Sequence, residues 1–377
     1  MTVGDERTSA ATRTSVSVAV TGSGGAGVMT AGNMLLETAA KAGWYGLMVR
    51  SSGPQIRGGE AAAMCRIADH PIETLDDRFD ILIAVDWENI HRFADEILLD
   101  ATGLMVGDPD QGDPPEGYVR SGVRYERLGI KGMAKAIRGS WPNMIVLGIA
   151  AGLIGLPKDA VKAVVEGSLK KARDAMAASL AAVDTGYESA LKIEGIPRLA
   201  PPGAHAGSRW LITGNQAAGY GAIRGGIRFV AGYPITPATE VLEWLAPAIA
   251  QVGGVLVQAE DELASINMLI GASFGGVPSL TATSGPGLSL MTEALGLAVA
   301  AEVPVVVVDV MRGGPSTGIP AKSEQSDLSI AVNGMHGDAP RIVVAPNSVA
   351  ECLTAPQWAV HLAEALQSPA IVLSDQF

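Results

Sequence analysis

Short apolar runs alternate with helical patterns along the N-terminal half of the chain. Apolar runs of strand length lie at 16–20, 47–49, 62–67, 81–86 and 104–108. An apolar-periodic segment from 28 to about 42 predicts a helix directly after a glycine-rich turn. A longer helical pattern, from 157 to about 192, predicts two helices with a break near Gly167. The pattern indicates an open α/β domain with a helical C-terminal part.

The C-terminal half alternates more regularly between strands and helices. Its strands are expected at 229–231, 255–258, 280–283, 305–310, 342–345 and 371–373. Helical segments of about ten to eighteen residues separate most of these strands, which is long enough for crossover connections. The sheet should therefore be mostly parallel, with helices on both faces. In such sheets, ligands bind beyond the carboxyl ends of the strands.

The 377 residues suffice for two or three domains. Residues 1–14 are polar and predict a disordered tail, and 194–209, with three prolines and three glycines, predict a linker. The predicted domains are then 15–193 and 210–377, two open, mostly parallel-sheet α/β domains.

Composition excludes several classes of protein. Hydrophobic residues make up 48% of the chain and charged residues 18%, which favours a globular α/β protein with a large core. The net charge is −12 without a basic cluster, which argues against nucleic-acid binding. The longest apolar run, 144–156, is too short to span a bilayer, and the polar N-terminus lacks the apolar core of a signal peptide. We expect a cytoplasmic protein.

Cysteine content limits the redox chemistry of the chain. Cys65 and Cys352 are its two cysteines, and each lies in an apolar run that predicts a buried free thiol. An iron–sulfur cluster normally takes four cysteines, so any cluster should lie on a partner chain.

The glycine turn after the first strand has three interpretations. Gly22, Gly24 and Gly27 satisfy the G-x-G-x-x-G pattern of dinucleotide sites. The second strand ends in Arg50-Ser51-Ser52, without the carboxylate that would hold a ribose, although an arginine could accept NADP. A tight strand–helix turn without a nucleotide is the second interpretation. The third is an anion site at the helix start, with a coenzyme A phosphate as one candidate.

The segment from 51 to 62 combines Arg57 and Glu60 with a Gly-Gly pair. It predicts either a surface loop with an ion pair or a loop inserted into a subunit interface near the site.

Two charged residues end strands of the second domain. Glu260 closes the run VLVQAE, where a carboxyl group could contact N1′ of the thiamine aminopyrimidine and favour the tautomer that removes the C2 proton. The alternative role is capping of the next helix, which Asp261 and Glu262 should open. Arg312 ends VVVVDVMR and can bind a 2-oxo acid carboxylate bidentately, or can pair with Glu302 or Asp309.

Three further segments lie at the same predicted edge. Thr236, between two prolines, could cap a helix, contact substrate, or do both. Ser284-Gly285-Pro286-Gly287 is a turn that permits close approach of a ligand, and Lys322 lies in a loop of small residues that could be a lid. The chain has no G-D-G motif of the kind that binds the diphosphate and magnesium of thiamine enzymes. It could therefore supply only the pyrimidine half of a thiamine site.

These motifs resemble the fused γ–α subunit of 2-oxoacid:ferredoxin oxidoreductases, most closely the 2-oxoglutarate type. GSGGAGVMTAG and SGPQIRGGEA resemble its γ domain. YPITPATE, AEDELAS, TATSGPGLSLM and PSTGIPAKSEQSDL resemble the first domain of its α subunit. The resemblance covers roughly residues 15–377.

The resemblance implies roles for particular residues. Glu260 matches the glutamate at thiamine N1′, Arg312 the arginine that binds the 2-oxo acid carboxylate, and Thr236 the threonine beside the substrate. Lys322 is a further substrate-binding candidate; the candidate cofactor-binding residues are Pro234, Ile235, Ser284 and Gly285. No metal ligand is expected on this chain.

The resemblance also implies partners. On this chain, the second domain should resemble the pyrimidine-binding domain of thiamine-diphosphate enzymes. A β subunit should carry the diphosphate part of the thiamine diphosphate, which the two subunits share, together with Mg²⁺ and a [4Fe–4S] cluster. It should pass electrons one at a time to ferredoxin, in a dimer of αβ units. The implied reaction is oxidative decarboxylation of 2-oxoglutarate with coenzyme A to succinyl-CoA and CO₂.

Two departures and several alternatives accompany this interpretation. The chain stops at Phe377, where the family usually continues with another α/β domain that helps to bind coenzyme A, and Ala321 replaces an expected threonine. One alternative is a truncated, non-catalytic assembly or regulatory subunit; another is an NADP-binding oxidoreductase. Pyruvate or a branched-chain 2-oxo acid, and the carboxylating direction, stay open. Lys322 and Arg57 are the candidates for a distal carboxylate.

Overall fold

The computed structural model describes residues 12–53, 59–120, 122–170, 172–194, 196, 198–203 and 208–376. The chain divides into two compact units, Met1–Leu211 and Ile212–Phe377. Both are α/β units whose sheets are dominated by parallel pairings, as the sequence predicts.

A six-stranded mixed sheet forms the centre of the first unit. Its strand order is β3-β4-β2-β5-β6-β7. The strands are β2 (Ser15–Ser23), β3 (Tyr45–Ser52), β4 (Glu60–Ala68), β5 (Phe79–Ala84), β6 (Leu99–Gly107) and β7 (Arg124–Arg127). β4 runs antiparallel to both β2 and β3, whereas the other pairings are parallel. Only residues 53–59 separate β3 from β4, which is too short for a crossover and forces an antiparallel return.

Helices cover this sheet and bury its apolar face. They are α1 (Val28–Lys41), α2 (Glu116–Arg120), α3 (Ile130–Ala136), α4 (Pro142–Ile154), α5 (Lys158–Ser168) and α6 (Arg173–Ala190). The break in the long helical pattern therefore falls at 169–172, close to the predicted Gly167. The apolar run at 144–156 is mostly α4, which is buried on all sides, so its uniform hydrophobicity reflects the core.

The predicted tail and linker each contribute a short strand to the first unit. β1 (Thr12–Arg13) pairs in parallel with β8 (Arg198–Leu199). The ring nitrogen of Trp44 donates a 2.8 Å hydrogen bond to the carbonyl oxygen of Ala200, and Arg209 stacks over Tyr45 at 4.2 Å. These residues therefore pack on the first unit, whereas the sequence predicted them as unstructured. Residues 1–11 lie outside the described part of the chain.

The second unit is built on a fully parallel six-stranded sheet with the order β10-β9-β11-β12-β14-β13. Its strands are β9 (Phe229–Gly232), β10 (Val255–Gln258), β11 (Ser279–Thr283), β12 (Val306–Met311), β13 (Ile342–Val344) and β14 (Ala370–Asp375). Each predicted strand is present, within two residues at either end. The helices are α7 (Gly214–Gly225), α8 (Thr239–Ala250), α9 (Glu262–Phe274), α10 (Gly285–Ala300), α11 (Leu328–Asn333) and α12 (Glu351–Leu366).

Two apolar cores lie on the opposite faces of this sheet. Helices α7, α8 and α12 contribute to one core, and α9, α10 and α11 contribute to the other. From β9 the chain moves outward to β10, and it then returns past β9 to β11 and β12. The strand order therefore reverses between β9 and β11, and a crevice is expected there, at the carboxyl ends of the strands.

Candidate active site

All four segments singled out in the sequence lie at one edge of the second unit's sheet. Gln258 of β10 is level with Gly232 of β9, and Thr283 of β11 is level with Asp309 of β12. Residues 233–238, 259–261, 284–287 and 312–327 follow these strands directly. Parallel pairing thus brings together segments that are separated by dozens of residues in the sequence.

Glu260 lies on the exposed rim beyond β10. The cap of α9 is Asp261, whose side chain accepts a 2.7 Å hydrogen bond from the backbone N–H of Ala264. Glu262 then occupies the first turn, as predicted from the helix dipole. Since Asp261 caps the helix, the capping role considered for Glu260 is wrong. Glu260 is exposed at the end of β10, the edge strand beside β9.

The turn after β9 carries Pro234, Ile235 and Thr236. Ile235 packs against the core that contains α8, whereas Pro234 and Thr236 are exposed. The residue at the cap position of α8 is Ala238, which makes no side-chain cap. The Thr236 hydroxyl therefore does not cap this helix, and its contact with a substrate stays a prediction.

Arg312 is buried, with 7% of its surface exposed. Its Nη1 donates a 2.7 Å hydrogen bond to the carbonyl oxygen of Thr236, and its Nη2 donates to the carbonyl oxygen of Thr317. Burial lowers the pKa of Arg312, and the nearby carboxylate of Asp327 opposes that effect. The ion pairs considered with Glu302 and Asp309 do not form. The Nε of Arg312 is buried and has no partner among the described residues.

Residues 313–324 form a loop that folds back on the end of β12. The N–H of Gly313 donates to the carbonyl of Lys322 at 2.8 Å, and the N–H of Ile319 donates to the carbonyl of Gly313 at 2.8 Å. Glu324 accepts a 3.1 Å hydrogen bond from the N–H of Gly314. Lys322 is thereby held in the same loop that supplies a carbonyl to Arg312.

Ser284 and Gly285 form the start of α10, beside Asp327. The Ser284 hydroxyl is buried without a hydrogen-bond partner among the described residues. A Cβ on Gly285 would lie 2.2 Å from Oδ1 of Asp327, so only glycine fits. The sequence predicted that a ligand would come close to this turn, and in the structure the side chain of Asp327 is close to Gly285.

The sequence did not predict that two buried carboxyl groups lie close together at this edge. Asp309 lies within β12 with none of its surface exposed, and Asp327 lies at the start of α11 with 8% exposed. An acidic residue inside the apolar run VVVVDVM was the available signal for Asp309. Nothing in the sequence linked it to Asp327, 18 positions later.

The glycine turn of the first unit is filled by the protein's own atoms. A Cβ on Gly27, which has a φ of 80°, would lie 2.4 Å from Nδ2 of Asn143. The carboxylate of Asp86 accepts hydrogen bonds of 3.0 Å from both the N–H and the hydroxyl of Ser23. A carboxylate that already occupies a backbone N–H of the turn disfavours a phosphate there. These contacts support the interpretation as a tight turn without a nucleotide.

Glu60, from the segment 51–62, is buried and forms a 2.8 Å ion pair with Arg92. Arg57 lies outside the described residues. Both cysteines are free and buried, as predicted, and burial raises the pKa of Cys65 to about 12.

Comparison with known proteins identifies both halves of the chain. Residues 17–189 match the family model for pyruvate ferredoxin/flavodoxin oxidoreductase, and residues 220–377 match the model for the thiamine-diphosphate-binding domain of pyruvate flavodoxin/ferredoxin oxidoreductase. The solved structure of a 2-oxoglutarate:ferredoxin oxidoreductase from Magnetococcus marinus, with 2-oxoglutarate, coenzyme A and succinyl-CoA bound, is 38% identical. It superposes with a TM-score of 0.88 over 97% of this chain and 64% of that chain. The chain belongs to the 2-oxoacid:ferredoxin oxidoreductase family.

Curated members of the family show the same relationship. The 2-oxoglutarate oxidoreductase subunit KorA of Mycobacterium tuberculosis is 33% identical over 350 residues, which is 84% of this chain and 53% of that protein. The 2-oxoglutarate synthase subunit KorA of Methanothermobacter marburgensis is 50% identical over 167 residues, 44% of each chain. The chain spans about half the length of these curated relatives.

Two other features are absent from the described residues. No helix among the described residues is both long enough and apolar enough to cross a membrane. The same residues contain no cluster of three or more histidine, cysteine, aspartate or glutamate side chains placed to hold a metal ion.

Proposed function

We propose that this chain is the fused γ–α subunit of a 2-oxoglutarate:ferredoxin oxidoreductase and provides the pyrimidine half of its thiamine diphosphate site. The reaction is the oxidative decarboxylation of 2-oxoglutarate with coenzyme A, which gives succinyl-CoA and CO₂ and sends electrons singly to ferredoxin. Support comes from relatives named for 2-oxoglutarate and from a similar structure with 2-oxoglutarate, coenzyme A and succinyl-CoA bound. The observation that carries the proposal is the placement of Glu260 and Arg312 on one edge of a thiamine-binding domain.

The residues at this edge fit the aminopyrimidine half of thiamine. Glu260 presents a carboxyl group that helix capping does not use, and the buried Ser284 hydroxyl is unpartnered among the described residues. Pro234, Ile235 and Gly285 complete the proposed cofactor contacts. When bound, thiamine diphosphate supplies the nucleophilic carbon that adds to the 2-oxo carbonyl and retains the electron pair as CO₂ leaves. Glu260 would hold a proton at N1′ and so favour the tautomer that this chemistry requires.

Arg312 is proposed to bind the carboxylate beside the 2-oxo group. Its Nε is buried and unpartnered among the described residues, and each terminal nitrogen carries two hydrogens, so the bonds to Thr236 and Thr317 do not exhaust its donors. A carboxylate could therefore be bound by the remaining hydrogens of Nη1 and Nη2. The partly desolvated guanidinium would bind an anion more strongly than one in bulk water.

Thr236 and Lys322 are proposed to complete the substrate site. The Thr236 hydroxyl is exposed on the same turn whose carbonyl orients Arg312. 2-Oxoglutarate has a second carboxylate that requires a second cation, and Lys322 lies in the 313–324 loop that contacts Arg312 through Thr317. The loop would then connect recognition of the two ends of the substrate.

A β subunit is proposed to cover Glu260 and to contribute the diphosphate, Mg²⁺ and [4Fe–4S] part of the assembly, in a dimer of αβ units. Helix α9, which begins two residues after Glu260, exposes an apolar face. Leu263 is 49% exposed, Met268 is 41% exposed and Phe274 is 81% exposed. Leu263 lies beside the site and Phe274 lies at the far end of the helix, and exposed apolar side chains of this size favour burial by a partner.

The decisive experiment is an activity assay of the chain co-expressed with a candidate β subunit of this family. Reduction of a low-potential acceptor is measured with coenzyme A, thiamine diphosphate and either 2-oxoglutarate or pyruvate. Reduction that requires both the partner and 2-oxoglutarate is the expected result. Reduction with pyruvate or a branched-chain 2-oxo acid instead would overturn the substrate assignment. A stable complex without turnover on any of these would indicate the non-catalytic, assembly-type subunit.

A further inference from the structure

Asp309 is a fully buried carboxyl group that receives no hydrogen bond from the described residues when it is ionised. It is level with Thr283 of β11 and Leu373 of β14, in the middle of the parallel sheet. Neither of its carboxyl oxygens has a donor within reach in the described part of the chain. A charged group in this position would be strongly unfavourable, since burial removes its hydration.

Asp327 is a polar neighbour of both Asp309 and Arg312. Its Oδ1 accepts a 3.3 Å hydrogen bond from the hydroxyl of Ser326, and its Oδ2 is buried without a partner among the described residues. The same Ser326 hydroxyl lies 2.7 Å from the carbonyl oxygen of Arg312. Asp327 attracts the Arg312 guanidinium and repels a charge on Asp309.

We propose that Asp309 and Asp327 share one proton, and that this proton sets the charge beside Arg312. The inference rests on the proposed function, because it takes Arg312 to bind the 2-oxo acid carboxylate. A proton on Asp309 supplies the missing donor, and Asp327 accepts the hydrogen bond. Asp309 is then a positioning residue, which acts on Arg312 through Asp327.

The shared proton gives the three groups a balanced charge. One negative charge on the pair compensates the positive charge of Arg312, and an arriving carboxylate meets no net repulsion. Burial raises the pKa of Asp309 well above its usual value, and repulsion by Asp327 adds to this. Burial also raises the pKa of Asp327, although Ser326, Asp309 and Arg312 oppose it. Loss of the proton at alkaline pH would place a second negative charge next to the substrate carboxylate.

Other charged groups around the pair, among the described residues, are few. Glu262 of α9 and Thr283 both lie next to the Cβ position of Gly287. Glu324 of the 313–324 loop repels Asp327. Asp375 ends β14 and is paired with Met311 of β12. All three are acidic, and the repulsion between Glu324 and Asp327 favours retention of the proton on the pair.

The test compares wild type with Asp309→Asn and with Asp338→Asn in the complex with the β subunit. The amide introduced by Asp309→Asn keeps a hydrogen-bond donor for Asp327 but cannot titrate. Asp338 is an exposed acid of the same unit, so its replacement removes one carboxylate elsewhere. The KM for 2-oxoglutarate is measured from about pH 6 to about pH 9. We expect it to rise about tenfold in wild type and Asp338→Asn and to stay flat in Asp309→Asn.

A second measurement, infrared spectroscopy of the full chain, does not depend on activity. Wild type and Asp338→Asn should show the C=O stretching band of a protonated carboxyl group at neutral pH, and Asp309→Asn should lack it. A band that survives in Asp309→Asn, or a KM whose pH dependence is the same in all three proteins, would overturn the proposal. If Asp309→Asn does not fold, Asp309→Leu is used, since it also lacks the carboxyl group that would give the band. Absence of turnover with every 2-oxo acid would refute the proposed function, and the infrared band alone would then decide whether the pair exists.

Discussion

The guanidinium of Arg312 donates a 2.7 Å hydrogen bond to the main-chain carbonyl oxygen of Thr236, 76 positions earlier in the chain. Thr236 follows β9 and Arg312 follows β12, while β11 lies between those two strands. The hydrogen bond therefore joins two strand ends across the end of β11. It fixes the arginine beside the turn that carries the proposed substrate threonine.

Replacement of Arg312 by lysine should lower kcat/KM for the 2-oxo acid by about 10- to 100-fold, mainly through KM. A lysine cannot bind a carboxylate bidentately or bond the carbonyls of Thr236 and Thr317 together. Arg341→Lys is a matched control, because Arg341 also donates to two backbone carbonyls, those of Ala331 and Ala339. It should lower the melting temperature but leave kcat/KM unchanged. Equal kinetic losses in both variants would contradict the role given to Arg312.

Glu260→Gln should abolish turnover, with a loss of about 10²- to 10⁴-fold, without a change in thermal stability. The reason is that Asp261, and not Glu260, caps α9. Asp261→Ala should show the opposite behaviour, a loss of about 1 kcal/mol in the free energy of unfolding. Melting curves and steady-state rates of both variants check this. A large stability loss in Glu260→Gln would mean that the carboxylate has a structural role.

Gly285→Ala should destabilise the second unit and impair activity. The new Cβ would lie 2.2 Å from Asp327 and push this side chain away from Asp309 and Arg312. Gly296→Ala provides a control in the same helix, since nothing lies within 4 Å of its Cβ position. It should stabilise the protein by about 0.5–1 kcal/mol because alanine favours helix. Chemical denaturation of the two variants should therefore give shifts of opposite sign.

The buried Asp309 should make stability fall with rising pH. Its pKa is raised in the folded state, so the folded protein retains a proton that the unfolded chain loses near its ordinary value of 3.8. The free energy of unfolding then decreases from that pH up to the folded-state pKa, by at most about 1.4 kcal/mol per pH unit. Asp309→Asn should gain stability relative to wild type over this range. A difference that does not vary with pH would show that Asp309 does not titrate there.

Phe274→Glu should weaken assembly with the β subunit. Phe274 is 81% exposed at the end of α9, on the side proposed for the partner. Leu366→Glu is the control, since Leu366 is 64% exposed at the end of α12, on the other face of the sheet. Analytical ultracentrifugation of the co-expressed subunits should show a reduced complex for the first variant and an unchanged complex for the second. The opposite pattern would place the partner on the α12 face.

The sequence by itself determined the order and position of the strands in the second unit. Apolar runs of three to six residues between helical segments predict buried parallel strands, and the structure has β10 at the predicted residues, 255–258. It also placed Glu260, Ser284 and Arg312 at strand ends, because a polar residue that ends an apolar run marks that boundary. These are local properties that adjacent residues are enough to define.

Only the tertiary structure decided which partners these residues have. Arg312 bonds the carbonyls of Thr236 and Thr317 rather than a carboxylate, Asp261 and not Glu260 caps α9, and Asp309 meets Asp327. The antiparallel course of β4 and the packing of Arg198–Leu199 on the first unit likewise depend on pairing with distant segments. Hydrogen bonding and burial depend on distances in space. Strand pairing brings distant residues together, and their separation along the chain does not reveal that they will be close in space.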